Sequence, residues 1–199
     1  MDRDRVLKTA EAREAIAWAA AAKPVAPAEE RYCPTRDILD ARLEHVRQDI
    51  LRSGTSEETS FLLHAILSEI GGNVFDHNLG QWPDMPGCFL AHGRHNGAHV
   101  IAIADRGQGV LRTLQRAFCD ITTHDAALRA AFTRRISGRA PERRGNGLKF
   151  VRRTLLEDGM DLLFVSGSAA YAIVDRAEAW SEAKTPVPGC LAIVSFLTA

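Results

Sequence analysis

The chain of 199 residues lacks several features that would assign it to a specialised class of protein. Its 25 Lys and Arg balance its 25 Asp and Glu, so its composition gives no reason to expect a nucleic acid or an anionic membrane as a partner. No run approaches 18 consecutive apolar residues, and the N-terminus has no apolar segment of the secretory type. We therefore expect a cytoplasmic protein that binds neither nucleic acid nor membrane.

Cysteine is scarce, and the sequence has no P-loop. The four cysteines (Cys33, Cys88, Cys119 and Cys190) lie far apart with no CxxC pair, which indicates neither a zinc site nor a disulfide framework and favours a reducing compartment. No GxxxxGK[ST] motif occurs anywhere, and this absence excludes the common phosphate-binding loop of NTPases.

The remaining composition, 46% hydrophobic and 25% charged, is that of an ordinary globular domain. Apolar periodicity and turn residues predict helices over residues 5–22 and from Thr35 to Arg52. They also predict a third helix that starts near Ser56, and a late helix in "NGLKFVRRTLLEDG".

Strands are predicted in the middle and at the end of the chain. "GCFLAHGR" and "AHVIAIAD" flank an Asn-Gly pair typical of a hairpin. "MDLLFVSGSAAYAIVD" and "GCLAIVSFLTA" are expected to supply a second hairpin and one more strand. This order of elements predicts an α+β fold with one mixed sheet.

An unusual polar stripe lies in "SEIGGNVFDHN", on the third helix. Glu69, Asn73 and His77 are four residues apart, so they stack along one side of the helix, on the shoulder of its apolar face. Gly71 and Gly72 follow Glu69 although each weakens a helix by about 1 kcal/mol relative to Ala. A carboxylate, an amide and an imidazole are an unusual set of side chains at the edge of a core.

A first glycine cluster follows an apolar strand in "IADRGQGV". Asp105 ends the strand, where a carboxylate can accept a hydrogen bond from an exocyclic amine and so select adenine. Gly107 and Gly109 permit a tight turn and close approach of the backbone to a ligand.

A second cluster, "RRGNGLKF", begins the late helix. Gly145 and Gly147 lie where free N–H groups and the helix dipole favour a phosphate, and Arg143 and Arg144 precede them. Taken singly, each of the three motifs also fits a bland structural role, as a solvated helix face, a turn or a helix cap. Their occurrence in order, each in a suitable local context, favours a functional interpretation.

Together, "SEIGGNVFDHN", "DRGQGV" and "RRGNGLKF" resemble the N, G1 and G2 boxes of the GHKL ATPase superfamily. The resemblance covers residues 56–199 and implies a Bergerat two-layer α/β sandwich with a mixed, largely antiparallel sheet. It further implies helices on one face of that sheet and a mobile ATP lid at "SGRAPERR". Residues 1–54 would then be an N-terminal helical arm, and residues 55–199 the ATP-binding domain.

The resemblance also implies roles for individual residues. Glu69 would be the catalytic polarising group or general base, Asn73 would coordinate Mg²⁺, and Asp105 would bind the adenine amine. The other cofactor-binding residues would be His77, Gly107, Gly109, Arg144, Gly145, Gly147 and Leu148. One departure from the family pattern is Cys190, which stands where many members have a Thr near the adenine-binding acid.

Three functions remain open at this point. The organisation is closest to stand-alone anti-sigma serine kinases, which predicts a Mg-ATP-dependent kinase of a partner protein or a slow ATPase. A non-catalytic module that regulates a partner through its lid is the alternative, although the presence of Glu69 favours the enzyme. A scaffold with relic motifs is the third. The first two helices are expected to serve as a dimerisation or partner-binding arm.

Overall fold

The computed structural model describes residues 3–78, 81–134 and 146–198. Twelve α-helices and strands follow one another along these residues. In chain order they are α1 Arg3–Val6, α2 Ala10–Ala20, β1 Tyr32–Cys33, α3 Arg36–Arg52, α4 Glu57–Asn78, β2 Cys88–His95, β3 Ala98–Asp105, α5 Gly109–Gln115, α6 His124–Thr133, α7 Gly147–Asp158, β4 Asp161–Val174 and β5 Ala177–Leu197.

The five strands form one open sheet in the order β1-β2-β3-β5-β4. Every pair of neighbouring strands in this sheet is antiparallel. The predicted α+β class is confirmed, whereas the prediction of a mixed sheet is wrong for the described residues. The reason is that the strands are joined by two hairpins, and β3 and β5 also run in opposite directions.

Helices cover both faces of the sheet, so the prediction of helices on one face alone is wrong. On β3, Val100, Ala102 and Ala104 face α2, whereas Ile101 and Ile103 face the layer that contains α3, α4 and α7. All eight residues of β3 are buried, and a strand that is apolar on both sides needs cover on both sides. Helices within residues 1–54 therefore contribute to both hydrophobic cores, α2 to one and α3 to the other.

The two helical glycines of α4 allow α3 to approach it closely. A Cβ built at Gly71 would lie 2.7 Å from a methyl carbon of Leu39, and one at Gly72 would lie 3.1 Å from the guanidinium of Arg36. The helix continues through both glycines to Asn78. Tight packing against α3 thus accounts for residues that intrinsic helix propensity disfavours.

Caps and turns explain where several other elements begin and end. The predicted helix over residues 5–22 is interrupted, because the Thr9 hydroxyl caps a new helix by accepting from the amide of Ala12. The predicted Asn-Gly hairpin is confirmed, with positive φ of 51° at Asn96 and 81° at Gly97. At the end of α7, Gly159 adopts the left-handed conformation expected of a helix-terminating glycine.

The last part of the chain differs from its prediction of a hairpin and a separate strand. A turn at Asp175 and Arg176, both with positive φ, joins β4 to a single strand, β5, of 21 residues. The first half of β5 was not predicted as a strand, because it contains Pro186 and is mostly exposed and polar. This half pairs with β4, residues 191–195 pair with both β4 and β3, and residues 196–197 pair with β3.

Arg106, in the turn after β3, fastens α2 to the sheet. Its guanidinium is 3% exposed, donates to the carbonyls of Trp18 and Ala19 at the end of α2, and pairs with Asp84 at 2.7 Å. A cation near the last carbonyls of a helix is favourable. One residue of the "DRGQG" turn thereby supports the layer opposite α4.

Two of the four free cysteines face each other, although they are 55 positions apart in the chain. Cys33 of β1 is paired in register with Cys88 of β2, and both are buried.

Among the described residues, no helix is both long and apolar enough to cross a membrane.

A chain of hydrogen bonds at the far end of β3 links α3 to the sheet. His99 is 1% exposed, its Nε2 lies 2.8 Å from Oγ of Ser53, and its Nδ1 lies 2.9 Å from Nε2 of His92. Ser53 donates its own proton to the carbonyl of Ile50, so Nε2 of His99 must be the donor to Ser53. Burial, together with nearby His92, lowers the pKa of His99 to about 4.

We expect this histidine to make stability depend on pH. Its folded pKa is about 4 against 6.5 in the unfolded chain, so the unfolded state binds the proton first and stability falls as pH drops from 6.5 to 4. Relative to a His99→Gln variant, the wild type should lose about 3 kcal/mol of unfolding free energy between pH 7 and pH 4. Urea unfolding of both proteins at each pH measures this. A difference that is independent of pH would contradict the assignment.

Candidate functional site

The polar stripe of α4 lies at the edge of the core. Glu69 and His77 are exposed and Asn73 between them is half-buried, while Ile70 and Val74 beside them are buried. The pKa of His77 is lowered because surrounding protein desolvates its ring, although neighbouring Asp76 acts in the opposite direction. The imidazole is therefore mostly neutral near pH 7 and offers hydrogen bonds.

The start of α7 meets this stripe at Glu69. A Cβ built at Gly147 would collide with the carboxylate of Glu69 as it is placed, so the start of α7 lies directly against this side chain. Leu148, the next residue, is partly buried against the helical core. The "SEIGG" and "GNGL" motifs, nearly 80 residues apart, are thus brought into contact.

Asp105 ends β3 with its carboxylate buried, at 2% exposure. Its Oδ1 accepts from the amide of Gly107 at 2.7 Å and from Nδ2 of Asn78 at 3.3 Å, and its Oδ2 accepts from the amide of Cys190 at 3.2 Å. Burial raises the pKa of Asp105 to about 6, and these three hydrogen bonds limit the rise. The result is a buried carboxylate that is mostly ionised at neutral pH.

Close backbone contacts explain the glycines around this carboxylate. Gly109 has φ of +73°, and a Cβ on it would lie 2.8 Å from the carbonyl of Pro188. A Cβ on Gly189 would collide with the main chain and carboxylate of Asp105. Ser166 bridges the same segments, since its Oγ accepts from the amide of Val110 and donates to the carbonyl of Gly189. The turn after β3 is therefore wedged against β4 and β5.

Cys190 contributes to the site mainly through its main chain. Its amide donates to Asp105, while its thiol lies 3.7 Å from Oγ of Ser166 in β4. Burial and the adjacent Asp105 raise the pKa of this thiol, so it remains protonated. With Cys at position 190, the main-chain hydrogen bond to the carboxylate of Asp105 is present.

Asn78 is a site residue that the sequence did not single out. It is 4% exposed and uses its side-chain amide to join α4 to the turn after β3. A signal was present: Asn78 follows Ile70 and Val74 at helical spacing, so it places an amide on the buried face of the helix. Gln108 adds a second link, since its Nε2 donates to the carbonyl of His77 at 2.6 Å.

Some expected parts of the site lie outside the described residues. These are Arg144, Gly145 and the "SGRAPERR" segment interpreted as the lid. Within the described residues, no group of three or more His, Cys, Asp or Glu side chains is arranged to hold a metal. The expected Mg²⁺ site would differ from such a group, because Asn73 would share the cation with phosphate oxygens.

Comparison with known proteins does not place the chain in a family. No protein-family model matches the chain, and no curated protein matches it.

We expect the glycines of the site to differ in their tolerance of a methyl group. Gly189→Ala should lower the unfolding free energy by about 3 kcal/mol, because its Cβ meets main-chain atoms and a buried carboxylate that cannot move away. Gly147→Ala should cost under about 1 kcal/mol, because the exposed Glu69 side chain can rotate away. Urea unfolding of the two variants tests this, and equal losses would contradict the geometry.

Proposed function

We propose that this protein is a Mg-ATP-binding domain of the GHKL type with a Bergerat-like nucleotide site. The observation that carries the proposal is the convergence of three separate segments. Asp105 and its glycine turn are hydrogen-bonded to the end of α4, and the start of α7 touches Glu69 on the same helix. Convergence of these three segments is what a common ligand site requires.

Each residue of this arrangement suits a part of the nucleotide. The Asp105 carboxylate is an acceptor for the exocyclic amine of adenine. The N-terminus of α7, with its helix dipole, suits phosphate, and the oxygen of Asn73 suits a hard cation. Bound Mg-ATP would supply the phosphoryl group, whose charge the metal neutralises.

Glu69 makes catalysis the better of the two interpretations. It is exposed at the contact with Gly147, next to the helix terminus proposed for phosphate. A carboxylate there can hold or accept the proton of an attacking hydroxyl or water. We therefore propose transfer of a phosphoryl group to a partner protein, or slow hydrolysis of ATP. A purely binding module would have no need of this carboxylate.

Calorimetric titration with Mg-ATP and Mg-GTP tests the proposal. The wild type should bind Mg-ATP in preference to Mg-GTP. Asp105→Asn should weaken ATP binding at least about tenfold, because the amide then faces the exocyclic amine with one acceptor fewer. Glu69→Ala should change the affinity less than about threefold but slow turnover by a factor of about 100 or more.

A matched control for Glu69 is Glu58→Ala, which removes an exposed carboxylate from the first turn of the same helix. It should change neither binding nor turnover. If the folded wild type binds no nucleotide, the proposal is wrong. If ATP binds and Glu69→Ala leaves turnover unchanged, the non-catalytic binding module replaces the enzyme.

A further inference from the structure

The amide of Asn78 presents a paired donor and acceptor to the turn after β3. Nδ2 donates to Oδ1 of Asp105 at 3.3 Å, and Oδ1 of Asn78 accepts from the amide of Gln108 at 3.0 Å. Nδ2 also donates to the carbonyl of Val74 at 2.9 Å. Because carboxylate and carbonyl oxygens only accept and an N–H only donates, these partners fix the orientation of the amide.

Adenine has the same pattern at its polar edge. Its exocyclic amine is a donor, and a ring nitrogen next to it is an acceptor. Guanine presents a carbonyl oxygen in place of that amine, and this oxygen would face the Asp105 carboxylate unfavourably. The acceptor on Asp105 and the donor at the main-chain amide of Gln108 are thus complementary to adenine. In the structure, the Asn78 side chain makes both of these hydrogen bonds.

Oδ1 of Asp105 cannot accept hydrogen bonds from the Asn78 amide and from an adenine amine at the same time. A carboxylate oxygen has two lone pairs, and those of Oδ1 accept from Gly107 and from Asn78. The space is filled as well, since a Cβ on Gly107 would collide with the amide of Asn78. An amine that approaches Oδ1 must therefore displace the Asn78 side chain.

We propose that Asn78 is an internal substitute for the base, which occupies the adenine-recognition edge of Asp105 and Gln108 until a nucleotide displaces it. This inference rests on the proposed nucleotide site. It makes Asn78 a residue that sets the affinity for ATP, because its hydrogen bonds are broken when adenine binds. The bond from the side chain of Gln108 to the carbonyl of His77 keeps the end of α4 attached while the amide leaves.

The test is calorimetric titration of Asn78→Ala and Asn78→Ser with Mg-ATP and Mg-GTP. Both variants should bind Mg-ATP about tenfold more tightly than the wild type, because two hydrogen bonds need no longer be broken. Both should keep the preference for ATP over GTP, which resides in Asp105. Both should also melt at a lower temperature, because Asn78 stabilises the empty site. A merely structural role would weaken binding together with stability.

Gln108→Ala is the matched control. It removes the other side-chain link between α4 and the turn but keeps the Asn78 amide on Asp105, so it should give no gain in affinity. If a folded Asn78 variant binds ATP as the wild type does or more weakly, while Asp105→Asn still weakens wild-type binding, the inference fails alone. If no folded protein in the set binds ATP, the proposed function fails and the inference fails with it.

A measurement on the wild type covers the case in which neither Asn78 variant folds. The side-chain amide of Asn78 in ¹⁵N-labelled protein should change its resonance position when Mg-ATP is added to saturation. An unchanged Asn78 resonance at saturation would overturn the proposal.

Discussion

The carboxylate of Asp105 lies buried at the end of β3 and accepts N–H donors from three separate parts of the chain. Burial of a charge is costly unless hydrogen bonds compensate for it, so the segments that supply the donors must stay in place. The amide of Gly107 fixes the turn, Asn78 fixes the end of α4, and Cys190 fixes β5. The candidate site depends on this one group.

Packing on both faces of the sheet keeps the Asp105 carboxylate away from solvent. Strand β3 is buried along its whole length, with α2 on one side and α3 and α4 on the other. Arg106 links the candidate site to the helix on the opposite face. It follows Asp105 in the chain, and its guanidinium donates to the carbonyls at the end of α2. The turn after β3 therefore couples the site on one face to the helix that covers the other.

Sequence alone predicted the elements whose causes are local. The Asn96-Gly97 hairpin and the end of α7 at Gly159 are fixed by residues that tolerate positive φ. The length of β5 was missed, because pairing with β4 overrides Pro186 and the exposed polar residues around it. Asn78 was missed for a related reason: its importance comes from partners 27 and 30 residues away, which periodicity does not reveal.

The proposed site makes binding of ATP an exchange of hydrogen bonds at Asp105, with phosphate at the start of α7 and Glu69 beside it. A crystal structure of the protein with Mg²⁺ and a non-hydrolysable ATP analogue tests this most directly. We expect the adenine amine on the Asp105 carboxylate and the phosphates between Asn73 and Gly147. A nucleotide bound elsewhere, or none at saturating concentration, would contradict it.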